Sequence, residues 1–588
     1  MVVKIAALLA LCACLPRLHG RCERDQDCAG GPVGLFCAEG LCQGLPLATV
    51  EALPARAFAR SESVHVRVRV DRAHGTPAVR ILLNGAEIAA QRESDGVFGA
   101  DVPLNLAPAG VEGAVPLSIE VRDDLGHVTA LGASVLVDDR APRLSVQSPA
   151  GTVVRGTAVS VRVTVEDMTA VLVSGGTKQM DGSFVVVIDT RIAPPAASMM
   201  DAIITATDAV GNVATAHVTI QLTRLKFAVP HPAGAAIINV VVSDTIIWAM
   251  PADREVWLVR RADGATIARP SSGAAAFPVI ATDGSHLFYA RTDNQVCRIG
   301  SNGTIELCCG PYATLTSGPA LFGSTPVVAT TGTGSYSSRM IAVVATTFCN
   351  PLTTLAIADF AGATVSIAAD GTVYSGVNQA VVAAQFDGLA WNAHATPESP
   401  HYRGQPAFRG GAVLFSTTAA TIDSFAFTTL VAPPPKTTQV ANVGTTITSP
   451  TVAADGTLTV ATDDRRVIAL RPDGSVRWTA TLPDSATAPP THGAGGLLYV
   501  GTGSGDILAL SETDGSTVWT WSTGAPIRGP LAPGCDGVLY AASGGTVTAL
   551  VIDAAGLADS PWPKAGHDVR GTSDARRPLR SATGACLE

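Results

Sequence analysis

Lysine is nearly missing from this chain: five of its 40 basic residues are Lys (Lys4, Lys178, Lys226, Lys436 and Lys564). With 49 acidic residues set against them the formal net charge is −9, so there is no broad cationic field to hold nucleic acid. Charged residues make up 15% and aromatic residues 5%, yet 47% of the chain is hydrophobic, which excludes intrinsic disorder. Beyond the N-terminus no uninterrupted apolar run reaches the ~18 residues that a membrane helix requires. The chain also lacks His-Glu-x-x-His, Gly-x4-Gly-Lys-[Ser/Thr] and Gly-x-Ser-x-Gly, so no catalytic residue, metal ligand or cofactor is assigned from motifs. Gly501-Thr502-Gly503-Ser504-Gly505 imitates a phosphate loop but lies between two strand patterns and opens no helix. What is plentiful is glycine (58) and proline (38), enough to punctuate many short strands, and 588 residues allow about three or four domains. The expected fold class is all-β.

The N-terminus has the form of a targeting segment. Lys4 supplies a positive charge and Ile5 to Ala13 an apolar run too short to span a bilayer, so residues 1–13 are expected to be a signal peptide. Leu11-Cys12-Ala13-Cys14 resembles the lipobox of bacterial lipoproteins. The resemblance implies that Cys14 becomes the acylated N-terminus, with 14–21 as anchor and linker and the membrane reached through the lipid. Cleavage after Gly20 is the alternative and gives a secreted or periplasmic protein; both readings export the chain. Of 12 cysteines, Cys12 leaves with the signal and Cys14 carries lipid, so ten remain in an oxidising compartment. Cys22, Cys28, Cys37 and Cys42 fall in a Gly-rich module (22–43) too poor in apolar residues for a core, which points to two disulfides of open connectivity. There is no Cys-x2-Cys pair to suggest zinc. Residues 44–57 are expected to be a linker.

Residues 58–224 repeat themselves. Val64-His65-Val66-Arg67-Val68-Arg69-Val70 matches Val159-Ser160-Val161-Arg162-Val163-Thr164-Val165, each with the period of two that marks a strand with one buried face. Asp95-Gly96 matches Asp181-Gly182, and Asp123-Asp124-Leu125-Gly126-His127 matches Asp208-Ala209-Val210-Gly211-Asn212. Units of this size with short alternating strands suit two β-sandwiches, 58–138 and 139–224. The Asp-x-x-Gly turn and Asp139-Arg140-Ala141-Pro142 resemble features of bacterial immunoglobulin-like repeats, some of which carry Ca²⁺ or mediate adhesion. Asp123, Asp124, Asp138 and Asp139 are then the candidate oxygen ligands, and turn capping is the expected use of these side chains.

From 225 to 575 a shorter period takes over. Asp455-Gly456, Gly495-Gly496 and Asp536-Gly537 each precede a short apolar run, 40 to 41 residues apart, with fainter copies near Asp244, Asp283, Gly323, Asp370 and Gly410. A period near 40 is the length of a four-stranded propeller blade, and the copies imply eight blades, with seven left open. Asp473-Gly474-x3-Trp478 and Asp514-Gly515-x3-Trp519 resemble the tryptophan-docking repeat of PQQ-like propellers, which implies that Trp478 and Trp519 pack between neighbouring blades. Ala268 and Leu307 stand where earlier blades would carry the tryptophan, Pro561 to Asp568 resembles the closing segment of exported members, and 576–588 is expected to be a solvated tail.

The resemblance raises the question of quinone chemistry, because quinoprotein dehydrogenases of this fold join adjacent cysteines beside their cofactor, as Cys308-Cys309 could. The Ca²⁺ ligands, catalytic Asp and indole platform of those enzymes are not identifiable here. A turn at Asn302-Gly303 instead sets Cys297 opposite Cys308, at a position counted as hydrogen-bonded, where side chains are farther apart and a bridge is disfavoured. Cys309 with Cys349 and Cys535 with Cys586 complete one consistent set. His492 and His567 are expected in loops, facing solvent or serving structure. The expectation is an exported, non-catalytic binding or scaffold protein without cofactor, using the propeller as its platform toward an unknown envelope protein or glycan. The nearest functional likeness is the propeller lipoprotein of the outer-membrane barrel-assembly machinery. Adhesion through the immunoglobulin-like repeats is the alternative, and a PQQ-dependent oxidoreductase is the third reading.

Overall fold

A computed structural model describes residues 35–38, 41–271, 273, 280–311, 314–315, 317–331, 338–343, 351–357, 364–377, 380–386, 391–397, 402–426, 436–445 and 447–588. Among the described residues every regular element but two short 3-10 turns is a strand, and no helix is long and apolar enough to cross a membrane. By packing, the chain divides into one unit of residues 1–151, 158–189 and 201–220 and a second of 152–157, 190–200 and 221–588. The signal segment, Cys14, Cys22, Cys28 and Cys349 lie outside the described residues. The hairpin Leu35–Ala38/Leu41–Gly44 sets Cys37 directly opposite Cys42.

In the first unit, one sheet is ordered Leu47–Val50, Ser63–Arg72, Val97–Pro103, Gln91–Ser94. A second is ordered Ala57–Ala59, Val128–Asp138, Glu112–Arg122, Ala78–Leu83, Ala86–Ala89. Alternation in Ser63–Arg72 buries Val64, Val66, Val68 and Val70 and turns His65, Arg67 and Arg69 outward. The buried valines share one core with Ile81, Leu117, Ile119 and Val137 of the other sheet. Residues 44–57, expected to be a linker, instead supply the strand Leu47–Val50 and the start of Ala57–Ala59, and Ala48 joins the core. These strands are four and three residues long, too short for alternation to show. The second repeat builds two further four-stranded sheets around Ala158–Glu166 and Val213–Thr223.

The second unit carries eight sheets of four or more strands among the described residues. Their inner strands are Ile237–Val242, Ala281–Thr282, Ala320–Phe322, Val365–Ile367, Tyr402–Arg409, Thr451–Val452, Thr491–Gly493 and Ile527–Pro533. Each touches the next and the last touches the first, a closed ring consistent with an eight-bladed β-propeller. The final sheet is completed on its outer edge by Leu225–Pro230, from the start of the region, paired with Thr546–Val551.

The docking tryptophans seal neighbouring sheets. Trp478 lies opposite Ala469, donates Nε1–H to Glu512 O (2.9 Å), and covers Gly515 so closely that a Cβ there would sit 2.6 Å from its ring. Trp519 lies opposite Ala509, donates to Asp553 Oδ2 (3.1 Å), and carries the Arg224 guanidinium over its ring. In the last sheet Phe227 takes the same register opposite Ala549, against Gly264 of the next sheet. Ala268 keeps the contact in miniature, its Cβ facing Gly303. Each of these docking residues except Ala268 sits beside a one-residue register shift that follows the alanine it faces, and Ala268 sits at a shift of its own. The docking geometry is therefore a property of the backbone that side chains of different size fill.

Two disulfides join described cysteines, Cys297–Cys308 and Cys535–Cys586, and Cys309 is disulfide-bonded as well. The bridge between Cys297 and Cys308 overturns the expectation that their position disfavours it. A register shift between Arg298 and Ile299 sets Ile299 opposite Ile305, so counting outward from a two-residue turn gives the wrong alternation. The Cα atoms of the two cysteines are 4.1 Å apart, the close spacing of a non-hydrogen-bonded pair. The tail is anchored rather than free in solvent: Cys586 is bridged to the last sheet, and the Glu588 carboxylate pairs with Arg261 and accepts from Cys535 N–H.

Candidate functional site

The segment after the last blade crosses the ring and is hydrogen-bonded to one inner strand after another. Main-chain N–H groups of His492 and Val452 donate to Pro563 O and Trp562 O, those of Ile367 and Leu321 to Ser573 O and Thr572 O, each at 2.8 Å. Those of Thr282 and Val242 donate to Arg570 O and Val569 O at 2.9 Å. In the fifth sheet a side chain does the same work: Gln405 Oε1 accepts from Gly566 N–H (2.6 Å) and its Nε2 donates to Ser573 Oγ (2.5 Å). The donors recur at roughly the blade period, so one irregular strap finds a partner in seven sheets. Trp562 is fully buried, with Phe408 edge-on at 5.0 Å.

Above this strap lies a cavity of 720 Å³, lined on or near the inner strands by Ile238, Asn239, Val241, Ile280, Gln405, Ser449, Thr487, Ala488, Ile527 and Arg528. Lys564, Ala565, Gly566 and Gly571 of the strap contribute to it, and no Asp or Glu is among its described lining residues. Burial pulls the Lys564 ammonium down to about 8. Burial likewise lowers His567. Sequence reasoning placed His492 and His567 in loops; the structure buries both, His492 in the strand Thr491–Gly493. His492 Nδ1 meets Glu512 Oε1 at 2.6 Å and Nε2 meets Thr459 Oγ1 at 2.8 Å, a buried chain that links two neighbouring sheets.

A quinone site of the kind the fold suggests does not fit these residues. Cys308 is bonded to Cys297, so it does not form a ring with Cys309. Among the described residues, the lining of the cavity on the ring axis offers no carboxylate to hold Ca²⁺ or to take a proton from an alcohol.

The first unit holds a different cluster. Asp138, Asp167 and Asp208 each place one carboxylate oxygen within 4.8 Å of the others. Asp138 is fully buried and its Oδ2 has no hydrogen-bond partner. Burial, and after it the charges of Asp167 and Asp208, push Asp138 above the usual carboxylate range, against the pull of the Arg140 N–H. The other three candidate aspartates cap turns. Asp123 Oδ1 accepts from Leu125 and His127 N–H (3.0 and 2.9 Å), Asp124 Oδ2 from Thr76 N–H (3.0 Å), and Asp139 Oδ2 from Gly110 N–H (2.8 Å). Asp167 escaped sequence reasoning because its counterpart in the first repeat is Arg72, so repetition gave no cue.

Residues 436–560 match the family described as outer membrane protein assembly factor BamB. No curated protein matches the chain. Among solved structures, BamB from Moraxella catarrhalis is 16% identical with a TM-score of 0.44, covering 55% of this chain and 96% of that one. The computationally designed protein Ika8 is 12% identical with a TM-score of 0.43, covering 54% and 97%. PQQ-like, BamB-type propeller repeats are thus present in this chain, carried by the blades in which the Asp-Gly-x3-Trp pattern is plainest.

Proposed function

We propose that the chain is an exported, lipid-anchored, non-catalytic scaffold of the bacterial envelope, with Cys14 as anchor, two immunoglobulin-like modules as spacer and the propeller as interaction platform. The match of residues 436–560 to a family named for outer-membrane protein assembly carries this reading. The described lining of the axial cavity, which holds Lys564 and Arg528 and no carboxylate, supports a binding role over alcohol oxidation. Cross-linking in native envelopes, with mass spectrometry of the adducts, tests it. Adducts between the propeller and an outer-membrane assembly component are expected. Saturable quinone binding with dye-linked alcohol turnover in the presence of Ca²⁺ would sink it.

A second reading is adhesion through the immunoglobulin-like modules, favoured by the unpartnered Asp138 oxygen beside Asp167 and Asp208. An all-oxygen set of three carboxylates suits a hard cation such as Ca²⁺, which would neutralise their charge where the two repeats meet. Binding of glycan or host-surface material that disappears on chelation would support it; binding indifferent to chelation would not.

A further inference from the structure

Pairing in the closing strap leaves one buried charge over. Asp574 holds Arg576 (2.7 Å), and Asp568 faces Arg577 (3.5 Å) while accepting from Thr572 N–H and hydroxyl (3.0 and 2.8 Å). Lys564, only 3% exposed, donates to two main-chain carbonyls, Ala565 O (2.6 Å) and Asp568 O (3.1 Å). Among the described residues it makes no ion pair. An ammonium has three donors, and a buried cation is costly unless an opposite charge meets it. The Asp568 carboxylate acts on it through its charge but is itself engaged by Thr572 and Arg577, and Lys564 lines the axial cavity, whose described lining residues include no acid to meet the ammonium directly.

The walls decide what kind of anion fits. They are largely apolar, with Ile238, Val241, Ile280, Ala488 and Ile527 among them. Their polar groups are largely committed: Gln405 is bonded at both ends, Ser449 Oγ accepts from Gln405 N–H (2.7 Å), and Thr487 Oγ1 donates to Ile527 O. A peptide entering here would bring a main-chain donor and acceptor at every residue and find few partners. A bare inorganic anion would leave the apolar walls in contact with water. The volume, 720 Å³, is that of a small-molecule site.

We propose that the axial cavity binds a small amphiphilic carboxylate, a single acid group on a slim apolar chain, with the carboxylate against Lys564 Nζ and the chain along the inner-strand walls. The exposed Arg528, also in the lining, adds a second positive charge for capture. This goes beyond the scaffold reading and does not depend on it, since a scaffold can carry such a site or lack it.

The test is isothermal titration of the full mature chain, in buffer free of organic acids, with decanoate and separately with 1-decanol. Saturable decanoate binding at pH 7, at least tenfold tighter than decanol, is expected. Lys564→Met keeps a chain of similar length without the charge and is expected to bind the two probes alike. Should that variant fail to fold, a pH series on the unaltered chain decides. The preference for decanoate is expected to fade between pH 8 and 10, as Lys564 loses its proton, while decanol binding stays constant. No saturable binding, equal binding of the two probes at pH 7, a preference that survives Lys564→Met, or a preference that persists to pH 10 would each overturn the proposal.

Discussion

Replacing His492 by alanine tests whether a buried polar chain holds neighbouring blades together. His492 is fully buried, and its ring bridges the Glu512 carboxylate at 2.6 Å and the Thr459 hydroxyl at 2.8 Å. The hydroxyl keeps Thr451 Oγ1 at 2.8 Å as a partner, so the loss falls mainly on Glu512. A hydrogen bond to a charged group contributes about 1.5–3 kcal/mol, and removing one partner of a buried pair costs about 3–5 kcal/mol. The Glu512 side chain keeps 22% exposure, so water recovers part of that cost. The emptied ring volume adds a cavity penalty. A destabilisation of about 3 kcal/mol is expected for His492→Ala, against less than about 1 kcal/mol for Glu512→Gln, which keeps an acceptor for the imidazole N–H. All seven tryptophans lie between Trp248 and Trp562, so urea unfolding followed by tryptophan fluorescence reports on the propeller alone. A His492→Ala midpoint within about 0.5 kcal/mol of the unaltered protein would refute the claim that this chain of contacts joins the blades.

Trp478→Ala should cost about 3–5 kcal/mol in the same assay, because it empties the space over Gly515 and frees Glu512 O; a cost under about 1 kcal/mol would refute the docking role. Removing Ca²⁺ with EGTA is expected to lower the melting temperature of the first unit, and Asp138→Asn should abolish that shift; a melting temperature indifferent to Ca²⁺ would remove the case for a cation at Asp138. Lys564 gives a pH signature of definite sign. Its folded value, about 8, lies below the ordinary 10.5, so between these values the unfolded chain holds a proton that the folded chain has released. Stability therefore rises with pH across that window, by up to about 3 kcal/mol at about 1.4 kcal/mol per pKa unit. The stability difference between the unaltered chain and Lys564→Met should change by that amount from pH 7 to pH 11, and a constant difference would refute the burial argument.

The ring of sheets was legible in the sequence because each of its later blades repeats the same local chemistry. Asp-Gly makes the turn and the tryptophan four residues after the glycine must land on the next sheet, as Trp478 and Trp519 do. Phe227 was not legible, although it occupies the same register opposite Ala549, because chain closure places it far upstream of its own sheet and without an Asp-Gly turn before it. The Cys297–Cys308 bridge was misjudged for a different reason. Sequence arithmetic found the right partner, but the phase of the ladder depends on a bulge that no residue type announces.

The candidate site was the least legible part, and the strap shows why. Blades specify themselves through a period that any window of sequence contains, whereas residues 561–575 are specified by acceptors and donors scattered over seven inner strands. Nothing in Pro563-Lys564-Ala565-Gly566 marks the lysine as buried; Lys is ordinarily exposed, and only the closed ring around it removes the water. The same holds for Asp138, an ordinary strand-end residue until Asp167 and Asp208 of the next repeat are brought beside it. In both places the local pattern fixes the backbone, and a distant segment then supplies the charge environment. A charge that such assembly leaves without a direct ion pair among the described residues, as at Lys564, or three carboxylates gathered within 4.8 Å, as at Asp138, is where this fold departs from what stability alone requires. Those two positions are therefore where a ligand is to be sought first.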